Sequence, residues 1–179
     1  MASDKIRKID LEKLADGLPA ITPSLGASLA EAGAICFAGQ GHTVGVELKV
    51  DGEYIETFKV YWPIITEQMR RCWNDEEVTT EHGAYAVAFL LIRSLTEFTV
   101  IERSRKGIGF DYWLGYEDDE IPFQNRARLE ISGIRKGNDR VVKARIKQKI
   151  NQAKRSGGLL RVFIIVVEFG RPLSYVVKK

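Results

Sequence analysis

Hydrophobic and polar positions alternate at two different periods along the chain, and the switch between them marks out the elements. Residues 8–16 (KIDLEKLAD) carry a short amphipathic helix pattern that stops at Gly17, and residues 24–33 (SLGASLAEAG) predict a second helix despite their glycines. The pattern then changes to period 2. Residues 42–50 and 53–61 alternate on either side of Asp51-Gly52, the strongest hairpin signal in the chain. Pro63 ends that pair, and residues 64–73 predict a short helix. A longer helix follows, capped by Thr79 or Thr80 and running to about Glu97, with Tyr85, Ala88, Phe89, Ile92 and Leu95 on one stripe.

From there the β-branched runs dominate. Residues 98–103 (FTVIER) predict a strand, residues 104–107 a turn, and residues 108–114 a second strand. An acidic loop holds Glu117, Asp118, Asp119, Glu120, Ile121 and Pro122, and residues 127–134 predict a third strand. Gly137-Asn138-Asp139 supplies a turn and an N-cap for a basic helix over about 140–155, closed by Gly157-Gly158. In that helix Val142, Ile146, Ile150 and Ala153 form the buried stripe, with Lys143 and Lys147 one turn apart on another face. Residues 160–167 (LRVFIIVV) are almost continuously apolar, as a central strand covered on both faces requires, and residues 173–177 predict a final edge strand. The result is an α/β chain whose residues 79–179 read α-β-β-β-α-β, a mixed sheet flanked by helices. Residues 1–78 form an extension with a helix and its own hairpin.

Composition narrows the class. The chain has 179 residues, 45% hydrophobic and 28% charged, the balance of an ordinary globular protein. No run of about 18 apolar residues is present, so no membrane span is expected. The N-terminal MASDKIRKIDLEKL lacks the apolar core of a signal peptide, which points to a cytoplasmic protein. Cys36 and Cys72 have no Cys or His at metal-ligand spacing and read as reduced thiols.

Charge changes the picture more. The net +3 divides into 15 basic and 3 acidic residues over 126–179, for +12, and 12 basic and 21 acidic residues over 1–125, for −9. A basic block of this density concentrates polyanions by Coulomb attraction and counterion release. It is equally compatible with attraction between the two halves or with a solvated helix face.

Candidate chemistry comes from the strands. On the third strand Arg128, Glu130 and Ser132 share one face, and on the second Asp111 interrupts an apolar and aromatic run. Carboxylates on a covered sheet either rise in pKa or acquire a cation. A hard divalent ion such as Mg²⁺ is one such cation. The bland alternatives are ion pairs, of Glu130 with Arg128 or Arg161 and of Asp111 with Arg103 or Lys106. Glu81 reads as a first-turn acid favoured by the helix dipole. His42 and His82 attract no role, and the Tyr112-Trp113 pair is mostly core, with base stacking as its functional reading. Gly107-x-Gly109 is too short for a phosphate-cradling loop.

The element order, with GIGFDYWLG (107–115) followed by RLEISG (128–133), resembles the PD-(D/E)XK nuclease superfamily over about residues 79–168. That superfamily includes restriction endonucleases and Holliday-junction resolvases. The resemblance implies a restriction-endonuclease-like core in which Asp111 and Glu130 bind Mg²⁺, assisted by a first-helix glutamate for which Glu81 is the candidate. The family's lysine, two residues after the Glu, is Ser132 here. Members that move this lysine to the following helix nominate Lys143 or Lys147. The expected function is Mg²⁺-dependent cleavage of DNA phosphodiester bonds, with Arg128, Arg140, Lys143, Lys147 and Lys154 contacting backbone phosphates. Ser132 favours a rival, an inactive nuclease-fold subunit that binds nucleic acid or protein in a larger bacterial complex such as a defence system. A third reading is an interaction module whose basic half docks on an acidic partner and whose acidic half contacts a second copy of the chain, as a homodimer.

Overall fold

β-Branched and aromatic residues are frequent in the strands, and the eight strands among the described residues join one mixed sheet. In the computed structural model, which describes residues 7–121, 123–155 and 158–179, these are β1 (Arg7–Asp10), β2 (Val46–Gly52), β3 (Glu56–Tyr61), β4 (Phe98–Arg103), β5 (Tyr112–Tyr116), β6 (Ala127–Ile134), β7 (Val162–Glu168) and β8 (Leu173–Lys178). The helices are α1 (Pro23–Gly39), α2 (Glu67–Cys72), α3 (Glu76–Leu95) and α4 (Asp139–Arg155). The sheet order is β1-β3-β2-β8-β7-β6-β5-β4. β4, β5 and β6 form an antiparallel meander, α4 crosses from β6 to its parallel neighbour β7, and β8 returns antiparallel.

Strand alternation divides the core into two layers. Ala127, Leu129 and Ile131 of β6, with Phe163, Ile165 and Val167 of β7, face α3 and α1 in the main core. Ile134 of β6, with Val162, Ile164 and Val166 of β7, meets Val142, Ile146 and Ala153 of α4 on the opposite side. All seven residues of β7 are buried, as its apolar run requires. The sheet and the main core run without a break across residue 78, because β2 pairs in parallel with β8 and α1 lies against α3.

Several sequence expectations are corrected. Residues 7–10 are a strand parallel to β3, and only Leu11–Asp16 turn helically, as a 3₁₀ helix that stops at Gly17 with φ +83°. The helix expected to be capped by Thr79 or Thr80 starts at Glu76, capped by Asp75 Oδ1 on the Val78 N–H at 2.9 Å, so Thr79 and Thr80 lie inside it. Their hydroxyls donate back to the carbonyls of Asp75 and Glu76. Asp51-Gly52 is no two-residue turn; both residues continue β2 alongside Tyr175 and Val176 of β8. The final strand is not at an edge, since β8 lies between β2 and β7. Pro122 of the acidic loop, Ser156, Gly157 and residues 1–6 lie outside the described residues. Among the described residues, no helix is long and apolar enough to cross a membrane.

Candidate functional site

The second strand of the meander begins later than its sequence pattern suggests. Ile108–Asp111 form an irregular approach, β5 starts at Tyr112, and Asp111 is the last residue before it. Its backbone N–H donates to the Leu129 carbonyl at 2.9 Å. Tyr112 pairs with Leu129, and the Asp111 N–H reaches the carbonyl of the same residue, so the ladder is irregular here and brings the Asp111 carboxyl beside that of Glu130, with which it interacts. The two carboxylates singled out by the sequence are therefore neighbours.

Their surroundings differ. Asp111 Oδ2 accepts the Ile131 N–H at 2.7 Å, and Oδ1 lies 3.3 Å from the Tyr85 hydroxyl of α3. That hydroxyl also lies 3.1 Å from Glu81 Oε1. It has one proton for two carboxylates, so both contacts are satisfied only when one carboxyl is itself protonated. Glu130 is 1% exposed. One of its oxygens accepts from Lys149 Nζ of α4, and the other, Oε2, is buried and receives no hydrogen bond.

Burial raises both carboxyls above their ordinary values. For Asp111 the Ile131 N–H, Lys149 and the Tyr85 hydroxyl oppose the rise, while the Glu81 charge adds to it. For Glu130 the charge of Asp111 adds to the rise, and Lys149 opposes it. One ammonium beside two carboxylates leaves the pair one positive charge short. A shared proton or a further cation makes up the difference. Burial also raises the Tyr85 phenol, helped by the charges of Asp111 and Glu81, so it stays a neutral donor.

Ser132, two residues beyond Glu130 on the same face of β6, meets a cation from α4. Ser132 Oγ accepts from Arg145 Nη1 at 2.6 Å, and the same nitrogen is 3.4 Å from the Gly133 carbonyl. Arg145 and Lys149 are one turn apart on the flank of α4 that faces β6. Lys143 and Lys147, the sequence candidates, are exposed on the other flank and do not reach the pair. Arg145, Lys149, Ser132, Glu81 and Glu77 line an open cleft of about 640 Å³ between α3, β6 and α4.

Other expectations resolve as follows. Arg128 is 6% exposed and donates through Nε and Nη2 to the Leu160 carbonyl, at 3.2 and 2.8 Å, so it is not a surface cation. Arg140, Lys143, Lys147 and Lys154 are exposed on α4. Tyr112 is buried edge-on to Phe89, so it cannot stack on a base. His42 and His82 bond the backbone carbonyls of Phe169 and Val78. Cys36 is buried with its thiol pushed up to about 12 by burial, and Cys72 is exposed. Among the described residues, no three His, Cys, Asp or Glu side chains converge as a metal-binding group, and Glu81 is linked to Asp111 through the Tyr85 hydroxyl. Sequence reasoning missed Lys149, Arg145 and the Tyr85 bridge. The helical stripe sets 145 and 149 on one flank and 143 and 147 on the other, and periodicity alone does not say which flank faces β6.

Comparison of the chain with protein-family models, with curated proteins and with solved structures finds no match.

Proposed function

We propose that this chain is a Mg²⁺-dependent nuclease-like protein that hydrolyses DNA phosphodiester bonds at the Asp111–Glu130 pair. One observation carries the reading. Two neighbouring carboxyls, Asp111 and Glu130, sit where the sheet is covered, a single lysine bonds one of them, and one buried oxygen, Glu130 Oε2, has no donor. The α3-β4-β5-β6-α4-β7 order supports a restriction-endonuclease-like core. The donor set fits the ion, since Mg²⁺ is commonly held by one or two carboxylates, waters and substrate phosphates rather than by a full protein cage. Asp111 and Glu130 would hold it. When bound, the ion lowers the pKa of a coordinated water and offsets charge on the phosphate.

The chain's own residues supply the rest. The Ile131 N–H fixes Asp111 in place, and Tyr85 holds it from the α3 side. Lys149, not Lys143 or Lys147, is the lysine placed to orient a water or to meet charge developing on a phosphate oxygen. Arg145 adds a second positive charge, steadied by the Ser132 hydroxyl. Asp111→Ala is expected to abolish cleavage of supercoiled and linear DNA while leaving DNA binding intact, and Lys149→Ala to lose cleavage where Lys143→Ala and Lys147→Ala retain it. Unchanged cleavage in Asp111→Ala overturns the assignment.

A second reading has an observation of its own. Lys149 already pairs with Glu130, as in a structural ion pair, and Ser132 brings no charge. On this reading the chain is an inactive nuclease-fold subunit that binds nucleic acid or protein within a larger complex. DNA binding without any Mg²⁺ binding selects it.

A further inference from the structure

The outer edge of β6 is covered for only part of its length. β5 pairs with it over Ala127–Leu129, whereas β7 pairs along the other edge as far as Ile134. In a parallel pair, alternate residues turn both backbone groups to the neighbour and the rest turn them away. The Arg128 N–H bonds on the β7 side, to the Arg161 carbonyl, so Ile131 and Gly133 point theirs to the uncovered edge. Side chains meet two of these four groups. The Ile131 N–H donates to Asp111 Oδ2, and Arg145 Nη1 lies 3.4 Å from the Gly133 carbonyl. Among the described residues, the Ile131 carbonyl and the Gly133 N–H have no partner. Both residues line the open cleft of about 640 Å³.

An acceptor and a donor that flank one residue are what a parallel strand takes up, since one residue of the added chain donates to the first and accepts from the second. Unpaired edges of this kind are templates for another chain. The side chain of that added residue lies beside Ser132, on the α4 face. There Arg145 bonds only the neutral oxygens of Ser132 and Gly133, and Lys149 lines the same wall. Its two neighbours in the added chain turn to the α3 face. On that wall Glu77 and Glu81 are exposed and form no ion pair among the described residues, while Glu76 is met by Arg135 at 3.7 Å. The two walls are therefore opposite in sign. A nucleic acid strand is negative at every residue and matches only the α4 wall. A peptide that alternates in charge at the period of a strand matches both.

We propose that the cleft takes an extended peptide of a partner protein as a strand parallel to β6, with acidic side chains toward α4 and basic ones toward α3. At about 3.3 Å per residue, the uncovered stretch of β6 accommodates about four residues of such a chain. The docking does not depend on the nuclease reading; on that reading the same peptide shields Lys149 from substrate.

The probe is an acetylated octapeptide amide of four Lys-Glu repeats, titrated into the full chain by calorimetry, with amide exchange at Gly133 followed by NMR. It is expected to bind about tenfold more tightly than the octapeptide of two Lys-Lys-Glu-Glu blocks, which has the same composition, and to slow exchange at Gly133 about tenfold. N-methylation of its glutamates, whose N–H groups face the Ile131 carbonyl, is expected to remove binding. N-methylation of its lysines, whose N–H groups point away from β6, is expected to leave it. Glu77→Lys, at an exposed position, is expected to weaken binding about fivefold with an unchanged circular dichroism spectrum. Equal binding of the two octapeptides, equal loss from the two methylations, or Gly133 exchange untouched by the peptide overturns the proposal. Protection of Gly133 by an oligodeoxynucleotide and not by the peptide overturns it in favour of a nucleic acid strand. Failure of the nuclease reading registers separately, as absence of Mg²⁺ binding, and leaves this result standing.

Discussion

Between pH 5 and pH 8 the Glu130 carboxyl has two ways to balance its charge, holding a proton or leaning on Lys149. Burial and Asp111 raise its pKa from the ordinary value, so the folded chain keeps that proton to higher pH than the unfolded chain does. Over that interval the folded state binds more protons, and stability falls as pH rises. Unfolding midpoints measured in a chelator from pH 5 to 8.5 should therefore fall more steeply for the wild type than for Glu130→Gln; parallel curves would show that the carboxyl titrates normally. Lys149→Met removes the ammonium, and stranding a buried partner costs about 3 kcal/mol. That loss should be largest at pH 8, where protonation no longer relieves Glu130, and smaller at pH 5.5. The two carboxylates themselves were legible in the sequence, because strand alternation exposes a charge on an apolar face. Lys149 was not. Which flank of a crossover helix looks back at the strand before it depends on how the helix lies across the sheet, and periodicity alone leaves that open.

Elements whose residues decide their own fate were read closely. The strands at 98–103 and 127–134 match β4 and β6, since β-branched runs bounded by turns leave little choice. Elements fixed by distant partners were misread. KIDLEKL has a helical spacing, yet its first residues are drawn into a strand by pairing with β3, and β8 is taken off the edge by β2, more than 100 residues earlier in the chain. The packing of α1 on the 3₁₀ helix is another such contact. A Cβ on Gly26 would lie 1.8 Å from the Leu14 carbonyl oxygen, whereas one on Gly39 meets only the mobile end of Arg135. Gly26→Ala should cost about 3 kcal/mol or more in urea unfolding, and Gly39→Ala should change stability by less than about 1 kcal/mol. Equal effects would contradict the close approach.

At the scale of the whole molecule, the charge division seen in the sequence takes a definite form in α4. Lys149 turns inward to Glu130 and Arg145 to Ser132, while Arg140, Lys143, Lys147 and Lys154 remain on the outer surface. On the nucleic-acid reading these exposed cations set the salt dependence of DNA binding. Lys143→Gln and Lys147→Gln should each lower the slope of log affinity against log salt by about 1, without touching Mg²⁺ binding. A slope unchanged in both variants would move the nucleic-acid surface off α4. The central claim is that Asp111 and Glu130 share one divalent cation. It is tested most directly by titrating Mg²⁺ into the wild type and Asp111→Ala by calorimetry, in two buffers of different ionisation enthalpy. The account predicts binding to the wild type with proton release, because raised carboxyls must give up protons to ligate, and none to the variant. Absence of binding in the wild type, or equal binding in the variant, would contradict it.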